Sequence, residues 1–185
     1  MEKILISGTG RCGTTFLIII FSFLEFDTGF TKENYHNFIY TKTNNTGMES
    51  HHTIKHYIIK SPHYLEFIKE VIRDVKIKMF IIPVRDYNLA AESRVKNKEY
   101  RNGGLWNAKN KEEQVLFYHK IISEYVLLMA KHEIPTLFLD FDKMVSDKVY
   151  LFNKLNVILS EKNISIEKFA SVYDNASESS APRSN

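Results

Sequence analysis

The sequence predicts an α/β domain of three layers, a mainly parallel central sheet flanked by helices. Three observations predict it. Short runs of strand length recur at Lys3–Ser7, Tyr57–Ile59, Lys78–Val84 and Thr136–Phe141. Their cores are apolar throughout rather than alternating, which marks strands buried on both faces. Segments with helical spacing separate them, the pattern of strands joined by helical crossovers.

Each element follows from local chemistry. Lys3-Ile4-Leu5-Ile6-Ser7 ends at Gly8 and reads as a buried strand. Gly8-Thr9-Gly10-Arg11-Cys12-Gly13 is a turn. Thr14–Phe26 is apolar nearly all round, so it reads as a helix buried on most sides. It is too short to span a bilayer. The glycines and Arg11 before it, and Glu25 and Asp27 after it, do not suit a signal peptide. Residues 28–50 are polar and irregular, with a turn at Asn44-Asn45-Thr46-Gly47. The strand at Tyr57–Ile59 stops at Ser61-Pro62. Tyr64–Val75 has helical spacing through Leu65, Ile68, Val71 and Ile72. After the strand at Lys78–Val84 comes a helix over Asn88–Asn97. Lys111–His132 is a long amphipathic helix with Val115, Tyr118, Ile122, Tyr125 and Met129 on one stripe. Val149–Leu159 is the last clear helix. Ser171–Asn185 is rich in Ser and Asn, lacks an apolar period and reads as a flexible tail. A single domain over residues 1–170 remains, without internal repeats.

Composition narrows the function. With 185 residues, 44% of them hydrophobic, the chain suits one domain with its own core. Its 25 Lys+Arg against 22 Asp+Glu leave a net charge of +3. That is too little for an ordinary nucleic-acid binder, and it suits a protein that holds one small anion. The single cysteine, Cys12, allows neither an intrachain disulfide nor a cysteine-based zinc site, and favours a reducing, cytoplasmic setting. His51, His52 and His56 give only a faint hint of a metal cluster among polar loop neighbours, and no metal is expected. No feature sets an oligomeric state.

The segment from Gly8 to Thr15 lies between a strand and a helix. Glycines there let the backbone approach a phosphate, and the helix N-terminus adds positive potential. Thr14 and Thr15 offer hydroxyls. The spacing nearly matches the P-loop pattern G-x-x-x-x-G-K-[ST], and the predicted architecture is that of a P-loop NTPase-like fold. Thr14 stands where that pattern has its lysine, however, and the loop's cation is Arg11. A second arginine, Arg85, follows the strand Lys78–Val84, with Ser93 on the next helix. An arginine and a hydroxyl so placed can clamp one phosphate.

These segments resemble the sulfotransferases that use 3′-phosphoadenosine 5′-phosphosulfate (PAPS). Gly10-Arg11-Cys12-Gly13-Thr14-Thr15 is similar to their 5′-phosphosulfate loop, [KR]-[ST]-G-[ST]-[ST], with Cys12 in place of a hydroxyl residue. Arg85 and Ser93 have the spacing of the 3′-phosphate motif R-[DN]-P-x(5)-S, with Tyr87 where that motif has proline. Lys60-Ser61-Pro62-His63-Tyr64 resembles the K-S-P-x-Y-F segment of the heparan-type and bacterial members. Lys32-Glu33-Asn34-Tyr35-His36-Asn37-Phe38 is similar to their K-E-x-H-F-F segment, with His36 displaced by one residue. Leu137–Met144 resembles a late strand and acidic segment taken as structural. The family's C-terminal loop over the nucleotide has no match, Arg183 lacking its context.

The resemblance implies a sulfuryl transfer from PAPS, leaving adenosine 3′,5′-bisphosphate, with no metal. Gly10, Arg11, Cys12, Gly13, Thr14 and Thr15 would hold the 5′-phosphate, and Arg85 with Ser93 the 3′-phosphate. Arg11 and Lys60 would neutralise charge at the breaking bond. Glu33 is the first choice for the base, with His63 and His36 behind it. The acceptor is a hydroxyl or amine of a small molecule or glycan, a lipid-linked sugar included. Residues 28–56 and 97–112, with Tyr100, Arg101 and Trp106, are the candidates to meet it. Two other readings stand beside this one. The first is a P-loop kinase, for which Asp140 is the only candidate Mg²⁺ carboxylate. The second is an inactive nucleotide-binding module of the same fold.

Overall fold

The computed structural model describes residues 2–39, 47–96 and 104–180. Four strands form one sheet: β1 (Lys3–Ile6), β2 (Ile58–Lys60), β3 (Ile77–Val84) and β4 (Thr136–Asp140). Every pairing is parallel and the order is β2-β1-β3-β4. Ile4, Leu5 and Ile6 of β1 lie opposite Ile58, Ile59 and Lys60 on one side. On the other they face Met79, Phe80 and Ile81. The α/β expectation is met.

Helices cover both faces, and the two-residue period of the strands divides the core between them. Ile4, Ile6, Ile58 and Ile81 face α1 (Thr14–Phe23), α6 (Lys148–Leu159) and α7 (Ile166–Ser180). Leu5, Ile59, Phe80 and Ile82 face the opposite way. There they meet α2 (Ile68–Asp74), α3 (Tyr87–Lys96) and α4 (Lys111–Lys131). Pro83 sits in a central strand without breaking it. Phe80 donates to Pro135 across the β4 side, and Ile81 accepts from Ser7 on the β1 side. The N–H that Pro83 lacks therefore falls beyond the end of β1, where the chain has already turned away.

The chain leaves β1 through α1 toward β2, then crosses back by α2 to β3 on the other side of β1. The connection from β1 to β2 and that from β3 to β4 run to opposite sides, so they diverge at the C-terminal ends of β1 and β3. In open parallel sheets this switch point leaves the crevice where ligands bind. The segments after β1 and after β3 are the ones that carry Arg11 and Arg85.

Several boundaries differ from the sequence expectation, four of them with structural consequences. The stretch Tyr64–Val75 is not one helix. A 3-10 turn spans Pro62–Leu65, Ser61 accepting from the His63 N–H at 3.2 Å, and α2 begins only at Ile68. Helix α1 ends at Phe23 rather than Phe26, and Glu25 takes a left-handed φ of 62°. Strand β4 stops at Asp140, whose carboxylate accepts from the Lys143 N–H at 2.9 Å and caps α5 (Phe141–Ser146). Residues 171–180, expected to be tail, lie within α7. Phe169, Tyr173 and Ala176 form its buried stripe. Tyr173 meets Phe16 of α1 edge-on at 5.3 Å and donates to the Met144 carbonyl at 3.2 Å. The stripe escaped detection because serines and small residues fill the other faces. The core therefore runs past residue 170.

Among the described residues no helix is long and apolar enough to cross a membrane. The docking of α7 makes a direct prediction. Phe169, fully buried and edge-on to Phe152 at 5.5 Å, fills core volume that alanine leaves empty. Phe169→Ala should lower stability by about 3–5 kcal/mol in urea unfolding. A loss below about 1 kcal/mol would show that α7 is not part of the cooperative core.

Candidate functional site

The glycine loop that leaves β1 is held in an unusual backbone conformation. Gly10, Arg11 and Gly13 have φ of 74°, 57° and 81°. Glycine adopts this region freely, whereas a side-chain residue such as Arg11 pays for it with about 1–3 kcal/mol of strain. A side chain would also crowd its neighbours. A Cβ on Gly10 would strike the guanidinium of Arg94, and one on Gly13 would come 2.5 Å from Met144 Cε and 3.2 Å from Phe141. Gly13 is also the N-cap of α1 and supplies no side-chain hydrogen bond to its first turn. The orphan N–H groups of that turn give the loop a positive end.

Two of the sequence motifs meet here. Arg11 Nε donates to Ser93 Oγ of α3 at 3.2 Å. Arg85, just past β3, donates from Nη1 to the Arg11 carbonyl at 3.0 Å and stacks on Phe141 at 4.7 Å. Its Nε is buried without a hydrogen-bond partner. Tyr87, in the place of the motif's proline, opens α3, and the Asp86 carboxylate accepts from the Leu89 N–H at 3.0 Å to cap it. Cys12 points into the protein, and burial pushes its thiol above the usual cysteine range. As a thiolate nucleophile it is disfavoured.

Lys60 is the last residue of β2 and is only 3% exposed. Its ammonium donates to the Gly47 carbonyl at 2.9 Å and lies 3.4 Å from Glu49 Oε1. Thr15 Oγ1 reaches the same Gly47 carbonyl at 3.4 Å. Lys60, Glu49 and the first turn of α1 thus share one corner. Burial pulls the Lys60 ammonium below the ordinary lysine range, while the negative charge of Glu49 pulls it back up.

The expected base lies elsewhere. Glu33 occupies an exposed turn closed by the Thr31 hydroxyl. That turn packs at the far end of α1: Lys32 sits over Phe23, and Tyr35 meets Phe23 edge-on at 4.9 Å. At about 1.5 Å per residue, Phe23 is on the order of 13 Å along the helix from Thr14. The Thr31 hydroxyl also lowers the Glu33 pKa, which weakens it as a base. His36 shares this outer turn, edge-on to Tyr35 at 5.9 Å. His63 is half exposed, with Nδ1 3.3 Å from Glu66 Oε2. His52 pairs with Asp74 at 3.2 Å and His56 with Asp27 at 2.7 Å. Among the described residues no three His, Cys, Asp or Glu side chains gather as a metal site. Tyr100, Arg101, Arg183 and the turn at Asn44-Asn45-Thr46 lie outside the described residues.

Sequence reasoning missed Glu49, Arg94 and the Phe141–Met144 pair. Glu49 carries no motif and reaches Lys60 only through the fold. Arg94 sits beside Ser93 on a polar helix, where burial leaves no periodic trace. A glycine of positive φ signals a close neighbour without naming it.

A pH measurement tests the Lys60 corner. An unfolded lysine titrates near about 10.4, and the buried one titrates lower. Between those values the unfolded chain holds a proton that the folded chain has lost, so stability from this group rises with pH. Unfolding in urea at about pH 7 and about pH 10 should show wild type gaining relative to Lys60→Met at the higher pH. An unchanged difference would mean that Lys60 titrates as an unfolded lysine does. Comparison with protein-family models, with curated proteins and with solved structures finds no match.

Proposed function

We propose that the chain is a PAPS-dependent sulfotransferase acting on a hydroxyl or amine acceptor in the cytoplasm. The observation that carries this reading is the meeting of Arg11, Arg85 and Ser93 at the C-terminal ends of β1 and β3. Two arginines and a hydroxyl from separate motifs converge on one glycine loop. The buried Arg85 Nε has no partner, and the first turn of α1 has no side-chain cap. Both are donor positions that the oxygens of a bisphosphorylated nucleotide suit, so the residues fit the donor. Gly10 and Gly13, with positive φ, let the loop turn sharply enough to aim backbone N–H groups at a phosphate.

The donor supplies an activated sulfate, and the chain supplies position and charge. Backbone N–H groups of residues 10–15 hold the 5′-phosphate, with Thr14 and Thr15 beside them. Arg85 and Ser93 hold the 3′-phosphate. Arg11, strained into its left-handed conformation, and the desolvated Lys60 face the developing negative charge. In a buried corner such charges act at low effective dielectric and are worth more than at a surface. The proton of the acceptor needs a base, and Glu49 beside Lys60 is better placed than Glu33. His63, oriented by Glu66, is the second choice. The acceptor class remains a small molecule or a glycan. Against the kinase reading, Thr14 replaces the lysine and Asp140 spends its carboxylate on capping α5.

Calorimetry tests the donor site. Adenosine 3′,5′-bisphosphate should bind more tightly than ATP–Mg²⁺. Arg85→Ala should weaken it about 10–100-fold, the worth of a charge-assisted hydrogen bond of about 1.5–3 kcal/mol. Preference for ATP would put the kinase first.

Transfer from sulfur-labelled PAPS to a panel of phenols, sugars and amines tests the base. Glu49→Gln should cut turnover by about 10²-fold or more while the bisphosphate still binds, and Glu33→Gln should stay within a few-fold of wild type. The reverse order would return the role to Glu33. Bisphosphate binding with no transfer to any acceptor would favour the inactive module.

A further inference from the structure

Arg94 belongs to none of the motifs, yet it packs against the glycine loop at Gly10. It is 7% exposed, on the inner face of α3. Its Nη2 would clash with a Cβ placed on Gly10. Its Nε donates to Tyr118 Oη of α4 at 2.8 Å, and Nη1 donates to the Gly104 carbonyl at 2.8 Å. The guanidinium also lies 5.2 Å from the centre of the Trp106 ring. One planar side chain thus joins the loop to the segment that leads into α4.

That segment continues the connection. Trp106 is 8% exposed, and its Nε1 donates to Glu66 Oε2 at 3.1 Å. Asn107 Nδ2 donates to Glu66 Oε1 at 2.7 Å. The same carboxylate lies 3.3 Å from His63 Nδ1, and the His63 ring meets Trp106 edge-on at 5.0 Å. Gly10, Arg94, Trp106, Glu66 and His63 form an unbroken chain of contacts. It runs from the loop after β1 to the turn after β2.

We infer that Arg94 is a positioning residue that couples an anion seated on the glycine loop to the Trp106–Glu66–His63 cluster. The inference rests on the loop being the donor's phosphate site. A phosphate drawn onto the loop acts on the adjacent guanidinium by charge, and the guanidinium cannot shift without disturbing its indole and carbonyl partners. Ordering of the donor site is thereby passed to the side where His63 stands. A lysine keeps the charge but not the planar stack or the two fixed donors.

Trp106 is the only tryptophan in the chain, so its emission reports this cluster alone. Pyrophosphate and adenosine 3′,5′-bisphosphate are each titrated into wild type, Arg94→Lys and Tyr118→Phe, with heat and emission read on the same samples. Wild-type emission should change in step with calorimetric saturation. Arg94→Lys, folded by circular dichroism, should bind about 10-fold more weakly and lose the emission change at saturation. Tyr118→Phe, which removes one acceptor and keeps the ring, should retain part of it and decides the case should the lysine variant not fold. A full emission change in a folded variant, or a silent wild type at saturation, overturns the coupling. If pyrophosphate binds while ATP–Mg²⁺ outcompetes the bisphosphate, the sulfotransferase reading fails and the pyrophosphate data alone decide the coupling. No binding of either anion overturns both.

Discussion

The rest of the site depends on the left-handed turn between β1 and α1. Three of its four residues from Gly10 to Gly13 have positive φ, and one of those, Arg11, carries a full side chain. Such a turn persists only when its surroundings over-determine it. Here they come from every part of the fold. Arg85 after β3 holds the Arg11 carbonyl, and Arg94 of α3 fills the space beside Gly10. Phe141 and Met144 of α5 close on Gly13. The direction of its backbone N–H groups is thus fixed by the fold itself.

The cations are arranged by depth. Lys60 is enclosed and answered by Glu49 and the Gly47 carbonyl, with the buried thiol of Cys12 near enough to feel its charge. Arg94 is enclosed too, held by a phenol, a carbonyl and an indole face. Arg85 is half-buried with one donor unanswered, and Arg11 is half-buried at the lip of the loop. A net charge of +3 conceals this concentration. What matters is that Lys60, Arg11, Arg85 and Arg94 gather at the C-terminal end of the sheet, Lys60 and Arg94 buried where a low dielectric strengthens their charge.

The strands, the glycine loop and the spacing of Arg85 and Ser93 were legible because their signals are local, whereas the meeting of Arg11 with both was not. A buried parallel strand needs a continuous apolar run, and Ile4–Ile6 and Phe80–Ile82 supply one. A close turn needs glycine at fixed intervals, and Gly10 and Gly13 stand there. Helix α7 was not legible, because Phe169, Tyr173 and Ala176 are a thin stripe whose partner, Phe16, lies far away in the sequence. The α5 cap was missed because Asp140 reads equally as strand or as cap until the strand end is known.

The chemistry of the site divides the same way. By itself the sequence determined that a glycine-rich turn follows β1 and that an arginine and a serine stand one strand later. Residue type and short spacing settle both. Only the tertiary structure decided which carboxylate accompanies Lys60: Glu49, set beside it where β2 meets the turn at Gly47, and not Glu33, left at the far end of α1. It also placed Arg94 against the loop and Trp106. These are contacts between segments distant in sequence, made where several elements close on one point, and no local pattern of residues encodes them.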